Sequence, residues 1–179
     1  MARALLIVDI QNDYFPGGRF PLVGPEDAAA AASRVLAGFR ARDEPIVHVQ
    51  HVWDADDAAF FQPGTPGVEI HGKVAPAAGE PVVQKALPNA FLGTGLEERL
   101  RGEGIDELVV AGMMSSMCVD ATVRAASDLG FGVTVVHDAC AAPDLEFNGT
   151  AVDGRTVHAT FMAALDGNYA QLVAADDVR

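Results

Sequence analysis

Short apolar runs alternate along this chain with longer amphipathic segments, and this alternation constrains the fold more than any other sequence feature. Several short runs are apolar at every position, as expected of strands that helices cover on both faces. Strands separated by helices favour βα units and a parallel sheet. We therefore predict an α/β fold, with strands at residues 4–9, 45–52, 82–85, 107–112, 132–138 and 171–174 and helices at 25–42, 95–102, 117–129 and 150–165.

Length and composition favour a single domain over residues 1–179. Half of the 179 residues are apolar, which is enough for one well-filled core, and no linker-like stretch divides the chain. Segment 53–79 is rich in Gly and Pro and is long for a plain connection, and long loops of this kind are usually functional or disordered. Its aromatic residues Trp53, Phe60 and Phe61 favour a packed loop near a pocket over a plain surface loop.

The charge balance is strongly acidic. Twelve Lys and Arg residues stand against 25 Asp and Glu residues, which gives a formal net charge of −13. Nucleic acids and anionic membranes attract basic surfaces, so we expect neither as a partner. The first apolar run is too short for a secretory signal, and no run approaches the roughly 20 residues of a membrane span. Two cysteines in such a chain favour free thiols and a cytoplasmic protein.

Two charged residues each follow directly on an apolar strand. Asp9 follows the run ALLIV, where a carboxylate must find a partner or raise its pKa, because burial disfavours the charged form. Lys85 follows the run PVVQ and is one of only two lysines in the chain. Open α/β sheets bind ligands at the carboxyl ends of their strands. If the two strands are near neighbours, Asp9 and Lys85 can pair there; the alternative is that Lys85 extends to solvent.

Cys118 lies between a third predicted strand and a helix. The run LVVAG is followed by MMSSMC and then by a helical pattern, so Cys118 is at or near a helix start. Backbone amides at a helix start stabilise a thiolate and lower the thiol pKa, and they can also hold an oxyanion. A buried, inert cysteine is the usual alternative, but a carboxylate and an ammonium at neighbouring strand ends favour a nucleophile. Cys140 is interpreted as a packing residue.

No sequence pattern indicates a metal or a nucleotide site. The five histidines have no close metal-ligand spacing. His48 and His51 are three residues apart in a predicted strand, where such residues point to opposite faces. No Gly-rich phosphate-binding pattern follows a strand. We therefore expect no cofactor.

Four segments of the chain, taken in order, resemble the isochorismatase-like cysteine hydrolases, a family that includes nicotinamidases, N-carbamoyl-amino-acid-type amidohydrolases and isochorismatases. They are ALLIVDIQNDYFPGG, FQPGTPGVEIH, VVQKALPNAFLGTGLEERL and LVVAGMMSSMCVDATVRAASDLGFGVTVVHDACAA. Each segment alone is weak, but their order and spacing together are specific. The resemblance implies a three-layer α-β-α Rossmann-like fold with a six-stranded, mainly parallel sheet. It also implies a homo-oligomer, either a dimer or larger.

The same resemblance implies roles for individual residues. The family's catalytic triad falls on Asp9, Lys85 and Cys118. A cis peptide bond is implied between Met113 and Met114, and it directs the backbone amide of Met114, with that of Cys118, at the substrate carbonyl oxygen as an oxyanion hole. The residues expected to bind the substrate are Tyr14, at the family's aromatic position, and the further aromatic candidates Trp53, Phe60, Phe61 and Phe147.

Two departures from the family patterns narrow the choice. Nicotinamidases resemble one another in a metal site made from an Asp and histidines just after the second strand. Here that region reads HVQHVWDADDAAFF and lacks the Asp-x-His pattern, so we expect no metal; Asp54, Asp56 and Asp57 are the alternative ligand set. Members specialised for isochorismate lack the nucleophilic cysteine, so the presence of Cys118 disfavours vinyl-ether hydrolysis.

Together these observations predict a cysteine hydrolase that cleaves a C–N bond (amide, carbamoyl or ureido) of a small molecule through a Cys118 thioester. Asp9 is the expected general base and acid, with Lys85 as its electrostatic partner. One alternative is a vinyl-ether hydrolase that uses Asp9 as acid and does not need Cys118. Another is a redox or small-molecule sensor with Cys118 as its reactive thiol, and a third is a purely structural subunit.

Overall fold

A parallel sheet of six strands forms the centre of the computed structural model, which describes residues 2–178. The elements are β1 (Ala2–Val8), α1 (Pro25–Ala41), β2 (Ile46–His51), β3 (Val82–Lys85), α2 (Leu96–Gly102), β4 (Ile105–Met113), α3 (Asp120–Asp128), β5 (Gly132–Ala141), β6 (Leu145–Phe147), β7 (Thr150–Val152), α4 (Gly154–Leu165) and β8 (Gln171–Val173). The strand order is β3-β2-β1-β4-β5-β8, and every pair in this sheet is parallel. The predicted α/β fold with a six-stranded sheet is confirmed.

Alternate side chains of β1 enter two separate cores. Leu5 and Ile7 pack in the core that contains α1, whereas Leu6 and Val8 pack in the core that contains α2, α3 and α4. Because successive residues of a strand point to opposite faces, the sheet divides the two cores. Helices therefore cover both faces, which gives the three predicted layers and accounts for the uninterrupted apolar run of β1.

The largest departure from the predicted elements lies before α4. Residues 150–152 were expected to begin a helix, but Thr150–Val152 pairs antiparallel with Leu145–Phe147 as a small hairpin outside the main sheet. The helix begins at Gly154 because the Asp153 carboxylate caps it by accepting from the backbone amides of residues 155 and 156. None of the helices within residues 2–178 is long and apolar enough to cross a bilayer.

The long segment between β2 and β3 is packed against the start of the chain. It contains two short 3₁₀ turns, Pro66–Val68 and Gly72–Val74. The buried side-chain amide of Gln11 donates hydrogen bonds to the carbonyl oxygens of His51, at 2.9 Å, and Val68, at 2.7 Å. This arrangement fixes the loop over the carboxyl ends of β1 and β2.

Candidate active site

The carboxyl ends of β1, β2, β3 and β4 bring four chemically active side chains together. Asp9 directly follows β1, His51 ends β2, and Lys85 ends β3, where it pairs in register with His51. Cys118 lies in a π-helical turn, Ser115–Val119, between β4 and α3. These four strands are adjacent and parallel, so their carboxyl ends meet at one edge of the sheet.

The Lys85 ammonium lies at the centre of this group. Its Nζ is 2.7 Å from Asp9 Oδ2, 2.8 Å from His51 Nδ1 and 3.2 Å from Cys118 Sγ. The side chains of Asp9 and Lys85 are both 0% exposed. An ammonium only donates hydrogen bonds, so His51 Nδ1 must be the acceptor in its contact with Lys85. The predicted pairing of Asp9 with Lys85 is present, and Lys85 does not extend to solvent.

The backbone at Asp9 has a conformation that L residues seldom adopt. Its φ is 50°, in the left-handed region, although Asp tolerates this region better than most residues. The Asp9 amide donates to the Val49 carbonyl at 3.1 Å, which ties it to β2. Non-glycine residues held in this region cluster at functional sites. The turn places the carboxylate beside Lys85 at the strand end.

Burial dominates the ionisation of the acid and the thiol. It raises the pKa of Asp9, and the Lys85 ammonium opposes that rise. Burial also raises the pKa of the Cys118 thiol, as does the Asp9 carboxylate, while Lys85 again opposes the rise. The expectation that a helix start lowers this thiol pKa is therefore wrong, because Cys118 is buried in the turn before α3. One ammonium thus favours one negative charge shared between Asp9 and Cys118.

His51 is not among the site residues predicted from the sequence. Its Nδ1 lies 3.8 Å from Cys118 Sγ and 3.9 Å from Asp9 Oδ2. Burial and the Lys85 ammonium lower the pKa of His51 to about 4, so its ring is neutral at pH 7. Spacing between histidines could not indicate this position. Its place at the carboxyl end of a strand, as for Asp9 and Lys85, is the signal that could have indicated it.

The same cluster bears on the question of a metal ion. Ligand atoms of Asp9, His51 and Cys118 lie within 4.8 Å of one another, the one group of this kind among residues 2–178. However, the Lys85 ammonium contacts all three side chains and takes the position that a shared cation needs. An ion bound there must displace Lys85. The alternative ligands Asp54, Asp56 and Asp57 are exposed and form no comparable group.

A cavity of about 490 Å³ lies beside Cys118 and His51. Apart from these two residues its lining is mainly aromatic and aliphatic. The residues that complete it are Tyr14, Phe20, Trp53, Phe60, Ala86, Leu87, Pro88, Met114 and Met117. A volume of this size and a mostly apolar wall are typical of small-molecule sites.

The aromatic residues predicted to bind substrate fall into two groups. Tyr14, Trp53 and Phe60 line the cavity. Phe61 does not, because its amide donates to the Asp13 carboxylate at 2.7 Å and its fully buried ring packs edge-on against Tyr14 with centroids 4.7 Å apart. Phe147 also lies outside the lining: it is on the hairpin strand β6 and is 76% exposed.

Met114 directly precedes the turn that carries Cys118, and the peptide bond between Met113 and Met114 is cis. The Met114 carbonyl accepts hydrogen bonds from the amides of Met117 and Val119, both at 3.1 Å. Met114 also lines the cavity beside Cys118. Met114 and Cys118 thus line the same cavity, and an oxyanion hole formed by their backbone amides stays a prediction.

Known proteins resemble this chain in sequence over most of its length. The isochorismatase domain family matches residues 3–163. YddQ of Bacillus subtilis, an uncharacterized isochorismatase family protein, is 50% identical over 170 residues, which cover 95% of this chain and 94% of YddQ. A streptothricin hydrolase of Streptomyces noursei is 38% identical over 146 residues, which cover 80% of this chain and 51% of that protein.

Solved structures share the fold of this chain. An isochorismatase-type hydrolase from Oleispira antarctica has a TM-score of 0.95 and 48% identity, covering 99% of this chain and 95% of its own. The N-carbamoylsarcosine amidase of Thermoplasma acidophilum has a TM-score of 0.85 and 27% identity, covering 100% and 99%. The fold of this chain is therefore shared along its length with both structures.

Proposed function

This chain belongs to the isochorismatase family of hydrolases, and from this premise we propose that it cleaves an amide-type C–N bond of a small molecule, with Cys118 as nucleophile. The observation that carries the proposal is the Lys85 ammonium, which contacts Asp9, His51 and Cys118 beside an apolar cavity. Similarity to an amidase that acts on N-carbamoylsarcosine supports C–N hydrolysis.

Acylation begins with proton transfer from Cys118 to Asp9. The raised pKa of Asp9 makes it a stronger base than an exposed carboxylate, and Lys85 stabilises the thiolate from 3.2 Å. The sulfur attacks the amide carbon, a C–S bond forms, and the carbonyl electron pair moves to oxygen. The backbone amides of Met114 and Cys118 hold this oxyanion, and one such donor typically contributes about 2.7–4 kcal/mol.

Collapse of the tetrahedral intermediate breaks the C–N bond. Asp9 returns its proton to the departing nitrogen, which leaves as ammonia or an amine, and a Cys118 thioester remains. Asp9 then takes a proton from water, whose oxygen attacks the thioester carbon. The acid product leaves, and the proton on Asp9 returns to the sulfur. His51 accepts a hydrogen bond from Lys85 throughout and so positions the ammonium.

An ammonia-release screen over primary amides and ureido compounds tests this proposal. Cys118→Ala should lower kcat/KM at least about 10³-fold, because removal of a nucleophile disables the whole catalytic unit. Cys140→Ala is the matched control: this buried thiol lies on β5, outside the cavity, and the variant should keep its activity. Circular dichroism of both variants checks that they are folded.

The same screen separates the other functions. A vinyl-ether hydrolase that uses Asp9 as acid releases no ammonia from these compounds, and its turnover of a vinyl ether persists in Cys118→Ala. A sensor with Cys118 as its reactive thiol is oxidised by peroxide but releases ammonia from no amide. Full amide turnover in Cys118→Ala contradicts the covalent mechanism.

A further inference from the structure

The described residues that line the cavity beside Cys118 carry no fixed positive charge. Among residues 2–178, no Lys or Arg belongs to its lining. Lys85 contacts Cys118 at 3.2 Å, but its side chain is fully buried and already paired with Asp9. His51 is neutral at pH 7, and burial raises the pKa of Tyr14 further above its ordinary value. A carboxylate that entered the cavity would therefore lose water without gaining a cation, which is costly.

The charge already in the site acts in the same direction. The single Lys85 ammonium already contacts two groups that can carry negative charge, Asp9 and Cys118. A further anion near the reacting carbon would compete with these two groups for one ammonium, at short range where water screens poorly. The net charge of −13 adds a weaker repulsion at long range.

The cavity wall fits a flat, apolar group. The Phe60 ring stacks on Phe20 at 4.8 Å, meets Trp53 edge-on at 5.4 Å and lies 5.8 Å from Tyr14. These rings come from the segments that follow β1 and β2. Aromatic clusters of this kind pack against flat rings in offset or edge-on contacts. The volume of about 490 Å³ suits a single small molecule.

From these contacts we propose that the site acts on uncharged amides with a flat apolar body and discriminates against amides that bring a carboxylate into the cavity. Ureido acids, which carry such a carboxylate, therefore fall outside its preferred substrates. This inference rests on the proposed function and narrows the class of substrate that the site accepts.

Alkylation of Cys118 by a matched pair of reagents tests the discrimination without any substrate. Iodoacetamide and iodoacetate differ only in the amide or carboxylate beside the reacting carbon. The normalised ratio is the rate of iodoacetamide over that of iodoacetate at Cys118, divided by the same ratio for free N-acetylcysteine. It should be at least about ten. The Cys118→Ala protein gives the background from Cys140. Equal normalised rates overturn the proposal.

A pair of variants locates the discrimination in the cavity. Leu87→Arg adds a cation to the wall, where Leu87 is 50% exposed, and should lower the normalised ratio at least about threefold. Leu145→Arg adds the same charge on the hairpin strand β6, where Leu145 is 42% exposed and outside the cavity lining, and should leave the ratio unchanged. Equal effects of the two variants assign the discrimination to net charge and contradict the proposal.

A pair of amides extends the test to catalysis. Ammonia release from 4-acetylbenzamide should exceed that from 4-carbamoylbenzoate at least about 100-fold in kcat/KM, because the second compound buries an unpaired carboxylate. If neither is hydrolysed, protection of Cys118 from iodoacetamide compares their binding, and the neutral amide should protect at a lower concentration. Equal or better performance by the carboxylate overturns the substrate class. Ammonia release that persists in Cys118→Ala contradicts only the proposed function.

Discussion

A single ammonium determines how much negative charge the site holds. Lys85 lies within 3.2 Å of Asp9, His51 and Cys118, and its side chain is fully buried. Because burial raises the pKa of both Asp9 and Cys118, full ionisation of both would leave one negative charge unpaired. The proton can therefore pass between the two residues without a change in the charge of the site.

The activity should decrease at low pH with a midpoint above the ordinary value of 3.8 for an aspartic acid. Asp9 must be ionised to accept the thiol proton, and its pKa is raised, so kcat/KM falls as the pH drops through that raised pKa.

Asp9→Asn should lower kcat/KM by about 10²–10⁴-fold at pH 7, the usual contribution of a general base. A variant that keeps more than a tenth of the activity contradicts this role for Asp9.

His51→Leu should lower kcat/KM about tenfold or more. It removes the acceptor that lies 2.8 Å from Lys85 Nζ, and an unpaired buried donor costs about 1–3 kcal/mol. His51→Asn should restore much of the loss, because the Asn side-chain oxygen can accept at about the position of Nδ1. His71→Leu, in a histidine that stacks on Phe15, is the control. If all three variants match the wild type in kcat/KM, His51 does not position Lys85.

The residues of the site could be predicted only in part from the sequence. Asp9, Lys85 and Cys118 each follow an apolar run, and three apolar strand ends in parallel place them together. His51 also ends a strand, but that strand contains His48 and Gln50 and therefore lacks the apolar run that marks the other three residues. The raised thiol pKa could not be predicted, because burial depends on the packing of the whole turn.

At the level of elements, the close contact between β1 and β4 supports the site. Gly112 of β4 lies against Val8, the residue before Asp9: a Cβ at Gly112 would stand 2.2 Å from the Val8 carbonyl oxygen. The two strands cannot keep this separation if position 112 carries a side chain. The position of Asp9 therefore depends on a glycine in the neighbouring strand.

Gly112→Ala should lower the free energy of unfolding by at least about 1–3 kcal/mol, the usual cost of forcing extra atoms into a packed interior. Urea unfolding measures it. Gly102→Ala is the matched control: Gly102 lies in α2 and a Cβ there meets no atom within 4 Å, so its stability should stay equal or rise slightly. Equal stability of the two variants contradicts the close contact of β1 with β4.

Some elements follow from local pattern and others do not. The bounds of β3 are those predicted, because its short apolar run is limited by Pro81 and by the turn after Lys85. The hairpin of β6 and β7 is missing from the prediction, since pairing of two three-residue strands leaves little trace in periodicity. The π-helical turn at Ser115–Val119 is equally absent, because its residues also suit an ordinary helix start.

For the whole molecule, the net charge of −13 should make catalysis on anions depend on salt. Added salt screens repulsion between an acidic protein and an anionic substrate. Between about 0.01 and 0.15 M ionic strength, where the Debye length falls from about 30 to 8 Å, kcat/KM should rise for 4-carbamoylbenzoate and stay constant for 4-acetylbenzamide. Equal salt dependence of the two compounds contradicts this expectation.

Assembly and cellular location stay predictions. The homo-oligomer and the cytoplasm were both expected from the sequence, the first by family resemblance. Sedimentation velocity of the full chain measures the number of subunits directly. A monomer at micromolar concentration contradicts the expected oligomer, and it also excludes any contribution of a second subunit to the cavity.

Trp53 has a further consequence, which is optical. It is the single tryptophan of the chain, is 36% exposed, and lines the cavity edge-on to Phe60. Indole emission responds to local polarity, and here no second indole obscures the response. The intrinsic fluorescence of Cys118→Ala protein should therefore shift as 4-acetylbenzamide fills the cavity, and a titration gives Kd without any label. Unchanged emission at saturation means that the amide binds elsewhere.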